Sequence, residues 1–127
     1  MPLYNIEAFV LKSRPFGEAD KILTLFSGTQ GKINAIAKGA RKPTSKFGGR
    51  LEVFSLNKFL LSSGRNLDII SQCETIESFY RLREDRDRLL AGAYFFRLAD
   101  LTTEEKHWDE EMFDLLSESL YDMQRSY

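Results

Sequence analysis

The chain has 127 residues and a mass of 14.7 kDa, room for one domain or one small domain with an appendage. Its single cysteine, Cys73, excludes an intrachain disulfide and a cysteine-rich zinc site, and no apolar run approaches the roughly 20 residues that span a bilayer. The formal net charge of −1 hides a division: residues 1–66 hold 11 Lys/Arg against 4 Asp/Glu, a balance of +7, whereas residues 67–127 hold 7 against 15, a balance of −8. Such asymmetry points to a phosphate-facing first half and a second half with another task.

The first half reads as strands. Ile6, Ala8 and Val10 alternate with Glu7, Phe9 and Leu11, predicting a strand apolar on both sides. Pro15 and Gly17, within Ser13–Glu18, mark a turn. Lys21–Phe26 is a second strand, joined through Ser27–Gly31 to a third in a hairpin. In the third, Ile33, Ala35 and Ala37 share one face, and Lys32, Asn34, Ile36 and Lys38 the other. Residues 38–50 follow, with five cations, three glycines, one proline and no acid, a flexible loop suited to a polyanion or simply to solvent. Leu51–Leu61 and Leu67–Glu74 read as strands four and five. Five short strands with a long third-to-fourth connection suggest a Greek-key barrel of the oligonucleotide-binding (OB) type over residues 1–78. An SH3-like barrel is the alternative.

Beyond residue 79 the period becomes helical. Leu82, Leu89, Leu90, Ala93, Leu98 and Leu101 recur along one predicted helix. Asp109 is placed to cap a second, with Glu110 and Glu111 at its positive end and Met112, Leu116, Ser119, Leu120 and Met123 along one side. The fold expected is therefore mainly β with an α appendage, a five-stranded barrel followed by two α-helices. Two helices lack a third element to cover their apolar faces, so residues 79–127 read as the start of a helical domain and the chain as the N-terminal part of a longer protein.

Catalytic signals are sparse. His107 is the only histidine and sits in an acidic stretch beside Trp108, so no Ser/His/Asp set can be built. No phosphate-binding Gly-rich loop ends in Lys-Ser/Thr. Asp109–Glu111 read as helix-start acids rather than a metal site, and Glu18 and Asp20 as acceptors for turn N–H groups or Arg14. Cys73 reads as a buried, inert thiol. Neither catalytic residues nor a cofactor or metal are expected, and the protein is expected not to be an enzyme. Binding signals are richer: Lys32 and Lys38 adjoin the basic loop, Lys12, Arg14 and Lys21 can extend it, and Phe16 and Phe47 stand among cations as stacking candidates or as plugs of the barrel end. Phe9, Phe26, Phe54 and Phe59 read as core.

The run Arg14–Phe26 resembles the opening motif of the bacterial DNA repair RecO family, and Gly31–Lys42 looks like that family's next block. Ser45–Leu51 and Glu77–Phe79 continue it in order, so the likeness covers most of residues 5–95. The resemblance implies an OB barrel followed by a helical domain. It also implies binding of single- and double-stranded DNA, strand annealing, and work with RecR in helping RecA load onto DNA coated by single-stranded DNA-binding protein. Carried to matching positions, the DNA surface involves Lys38, Arg41, Lys42, Lys46 and Arg50. With Lys32, Phe47 and Arg14 these form the expected site. Family members are roughly twice as long, and many carry a cysteine-rich zinc element in the later half. Zinc binding and docking of the single-stranded DNA-binding protein are therefore not assigned to this chain. A cytoplasmic, nucleoid-associated location is expected, with no membrane partner. The rival reading is a protein-interaction module that docks recombination partners without touching DNA itself.

Overall fold

The computed structural model describes residues 2–103 and 109–125, so His107 and Trp108 lie outside the described residues. Strands β1 (Leu3–Phe16), β2 (Asp20–Ser27), β3 (Gly31–Ala37), β4 (Leu56–Ser62) and β5 (Asp68–Glu77) close into a barrel in the order β1-β2-β3-β5-β4. The pairings are antiparallel except β3 with β5, which run parallel. This order, with a long β3–β4 connection, is that of the OB barrel and decides against the SH3-like alternative.

The alternation along β1 has the expected result. Ile6, Ala8 and Val10 enter the barrel interior with Leu23, Leu25 and Ile33, while Phe9 and Leu11 join a second apolar cluster outside it. A bulge between Val10 and Lys12 turns Leu11 and Lys12 both outward, which the period-two pattern did not anticipate. β1 also runs through Pro15 instead of ending at Ser13. Its pairing with β4 stops at Phe9, so Pro15 lies beyond the doubly paired part and its missing N–H costs no bond to β4.

The stretch 51–55, expected as strand, is a set of turns. Ser55 donates through its hydroxyl to the carbonyls of Arg50 (3.0 Å) and Glu52 (2.6 Å), and Asn57 Nδ2 donates to the Arg50 carbonyl at 2.9 Å. Phe54 adopts a left-handed backbone (φ 80°), held there by burial against Phe96 with ring centroids 4.7 Å apart. Phe47 and Leu51 enter the interior cluster from the same connection.

Among the described residues three helices follow where two were expected: α1 (Tyr80–Glu84), α2 (Arg86–Thr102) and α3 (Glu110–Arg125). The break is made by Asp85, whose side chain accepts from the N–H groups of Asp87 (3.0 Å) and Arg88 (3.2 Å). Asp109 caps α3, accepting from Met112 N–H at 3.0 Å. Leu116 and Leu120 of α3 are buried as expected. In α2 the buried residues are Gly92, Phe96 and Ala99. Leu89, Leu90, Ala93, Leu98 and Leu101, expected on the packed face, are instead exposed with Tyr94. The helices pack on the outside of the barrel around Phe9, whose ring lies 5.3–6.2 Å from those of Phe79, Phe96 and Phe113.

The β4–β5 turn is fixed by Asp68, which accepts from the Tyr4 hydroxyl and, at 3.1 Å, from Gly64 N–H. Burial, reinforced by the Asp68 carboxylate, raises the Tyr4 phenol above its ordinary range. A side chain at Gly64 would place Cβ 1.9 Å from the Leu67 carbonyl oxygen, which cannot be accommodated without moving backbone. Gly64→Ala is therefore expected to destabilise the fold by more than about 2 kcal/mol in urea unfolding; an unchanged midpoint would contradict this account of the turn.

Candidate nucleic-acid interface

Directly paired residues of neighbouring strands share a face. On the outer side, Lys12, Arg14 and Phe16 of β1 stand opposite Thr24, Ile22 and Asp20 of β2. Thr24 and Ile22 stand in turn opposite Asn34 and Ile36 of β3. The helices cover one end of this face, at Phe9 and Phe26. The other end, toward the β1–β2 turn, is left without a helix among the described residues.

The boundary is ionic. Asp100 of α2 bonds Lys12 Nζ at 2.7 Å and Lys32 Nζ at 3.2 Å, and Lys32 Nζ also donates to the Asp100 carbonyl at 2.7 Å. Asp100 lies in the last turn of α2, where the negative helix end disfavours a carboxylate. Its partial burial alone would raise its pKa, but hydrogen bonds and charge from Lys12 and Lys32 outweigh this and hold it below the usual carboxylate value. Lys32 is thus committed to the helices, with its side chain only 20% exposed. Expected on the DNA surface, it stands on the outer face as alternation predicts, at the end where α2 docks.

At the open end the basic loop is tied to the β1–β2 turn. Arg41 donates from its backbone N–H to the Ala19 carbonyl (2.8 Å) and from Nη1 to the Gly17 carbonyl (3.0 Å). Gly39 N–H donates to Asp20 Oδ1 at 2.7 Å, so Asp20 acts as the turn acceptor expected of it. Further along, Lys46 Nζ donates to the Ser71 carbonyl of β5 at 2.8 Å, and Arg50 Nη1 to the Lys46 carbonyl at 3.1 Å. The loop therefore spans from the β1–β2 turn to β5 across the barrel end; its Lys38, Arg41, Lys42, Lys46 and Arg50 are all exposed, as is Arg14 on β1.

Phe47 does not join them. It is 2% exposed, inside the barrel cluster, with Lys46 Nζ 5.3 Å over its ring. A buried ring offers no face to a base, so Phe47 is a plug and not a stacking residue. Phe16, by contrast, is 45% exposed. Arg65, in the β4–β5 turn, is a further exposed cation that motif reading passed over, because it stands alone in sequence. Cys73 is half-buried, and burial pushes its thiol up to about 12 although Arg50 pulls the other way.

Residues 1–79 match the family described as Recombination protein O N terminal, and residues 83–126 match Recombination protein O C terminal. The chain belongs to the RecO family. It is 44% identical over 120 residues to a DNA repair protein RecO of Pelotomaculum thermopropionicum, covering 94% of this chain and 47% of that protein. A DNA repair protein RecO of Nocardioides sp. is 45% identical over 116 residues, 90% of this chain and 48% of the relative. The chain spans about half the length of the curated RecO proteins it matches. Those relatives carry the name of DNA repair proteins, and the matching family models that of a recombination protein. No helix among the described residues is long and apolar enough to cross a membrane.

The Asp100 contacts give an expectation with a defined sign. A carboxylate whose folded pKa is depressed contributes stability that is complete above its unfolded value, about 3.9, and lost as pH falls through the folded value. The unfolding free energy of the parent should exceed that of Asp100→Asn by a constant amount from pH 5 to 7, and the gap should close below about pH 4. Equal stability at pH 7 would contradict the ionic boundary.

Proposed function

We propose that this chain is a non-catalytic DNA-binding module that holds single- and double-stranded DNA along the basic barrel end and brings complementary strands together. The observation that carries the reading is the set of six exposed cations: Lys38, Arg41, Lys42, Lys46 and Arg50 on a loop that hydrogen bonds tie to the β1–β2 turn and to β5, and Arg14 on β1 just before that turn. Cations fixed along a rim neutralise phosphates, release condensed counterions and weaken the repulsion between two approaching strands. Such contacts read the backbone, so sequence preference is weak. In the cell the module works with RecR to help RecA load onto DNA coated by single-stranded DNA-binding protein, at the nucleoid in the cytoplasm. Docking of that coating protein belongs to the part of the relatives' length that this chain does not span. The chemistry is displacement and annealing, for which no nucleophile or metal is required.

A second reading, a protein-docking module, has one observation in its favour: Leu90, Tyr94, Leu98 and Leu101 stand exposed on α2. Capture of RecR at salt concentrations where no DNA binding is detectable would favour it.

If the loop's five cations each meet a single-stranded phosphate, log K should fall with log salt at a slope of about 3.5 in magnitude. Fluorescence anisotropy of a labelled oligonucleotide over a salt series measures it. The double variant Arg41→Glu/Lys42→Glu is expected to weaken binding of every DNA sequence alike. A slope near zero, or loss restricted to particular sequences, would overturn the electrostatic reading.

A further inference from the structure

We infer that Phe16 is a stacking platform for an unpaired nucleobase, with Arg14 and Arg41 holding the adjoining phosphates. The inference rests on the DNA-binding reading above and assigns to it the residue that distinguishes single strands from duplex.

The chain has ten phenylalanines. Nine are buried or half-buried, and Phe16 alone is exposed, at 45%. It ends β1 at the tip of the β1–β2 hairpin, where Gly17 turns the chain in a left-handed conformation (φ 62°) and nothing beyond its two chain neighbours lies within 4 Å of where a side chain would begin. The tip is therefore open on the side of the turn. Arg14, two residues earlier on the same strand, shares the face of Phe16. Arg41 reaches the neighbouring residue directly, donating to the Gly17 carbonyl at 3.0 Å. Around this point, residues 14–21 and 38–42 bring five cations against two acids. Of the acids, Asp20 stands opposite Phe16 and is held by Gly39 N–H, and Glu18 is exposed in the turn.

An aromatic ring left in water among guanidinium groups fits an ssDNA contact better than a protein contact. Protein-docking patches are contiguous and apolar. Phe16 has no companion: among the described residues, none of the other exposed large hydrophobic side chains lies in residues 14–21 or 38–50. A single π-face bordered by cations matches one base bordered by its phosphates, and base–aromatic stacking tolerates any base. The hydrogen bonds from Arg41 and Gly39 hold the tip before any ligand arrives, so little ordering entropy is lost on binding. In a duplex the bases are already stacked on one another and the platform has nothing to receive.

Two measurements test this on the whole chain. Phe16→Ala is expected to weaken binding of an oligo-dT about tenfold while leaving an abasic oligonucleotide of equal length unaffected. Phe16→Trp, made in a Trp108→Phe background so that it carries the only indole, is expected to lose emission on adding oligo-dT and to keep it on adding the abasic strand. Binding of both strands with no such difference, by affinity or by emission, would overturn the stacking role and leave the electrostatic reading standing. Binding of neither strand at low salt would overturn both.

Discussion

Two phenylalanines on the outside of the barrel, Phe9 and Phe26, govern the rest of the molecule. Both are fully buried, yet neither points into the barrel interior. An outward aromatic ring in water forfeits about 1.5–3 kcal/mol of burial, so the barrel needs the helices to cover that end. Phe79, Phe96 and Phe113 supply the cover, and Leu116 and Leu120 complete it. Once α2 is seated there, Asp100 falls over Lys12 and Lys32. What remains for a ligand is the opposite end of the outer face and the rim above it.

That rim is ordered by polar contacts instead of apolar ones. Phe47 and Leu51 anchor the middle of the β3–β4 connection in the barrel interior. The segments on either side are then free to lie over the barrel end, one pinned to the β1–β2 turn by Arg41 and Gly39, the other to β5 by Lys46. A loop rich in glycine thus acquires a fixed path without secondary structure. Three of its cations, Arg41, Lys46 and Arg50, each donate to a backbone carbonyl and so help to hold the path while staying exposed.

Much of this was legible in the sequence where the signal is local. Alternation at Ile6–Leu11 and Ile33–Ala37 reports two-sided and one-sided strands directly, and the run of cations after Lys38 reports the loop. Strand count and one long connection pointed to the OB type but left an SH3-like barrel open, and the pairing of β3 with β5 decides between them. Contacts between distant segments were not legible. Lys32 looks free until Asp100, 68 residues away, is folded onto it. Phe16 and Phe47 look alike in sequence, each an aromatic among cations, and only the path of the loop buries one and exposes the other. The leucines of α2 misled for a related reason: the helix turns Gly92, Phe96 and Ala99 to the barrel because Phe54 and Phe9 need close approach there, which leaves Leu90, Leu98 and Leu101 outside.

The central claim is spatial: DNA lies on the barrel end, away from the helices. Backbone amide chemical-shift mapping of the isotope-labelled chain during titration with an oligo-dT tests it most directly. The account expects perturbations concentrated in residues 14–20 and 38–50, with α2 and α3 unaffected. Shifts centred on the exposed face of α2, with the loop silent, would contradict it.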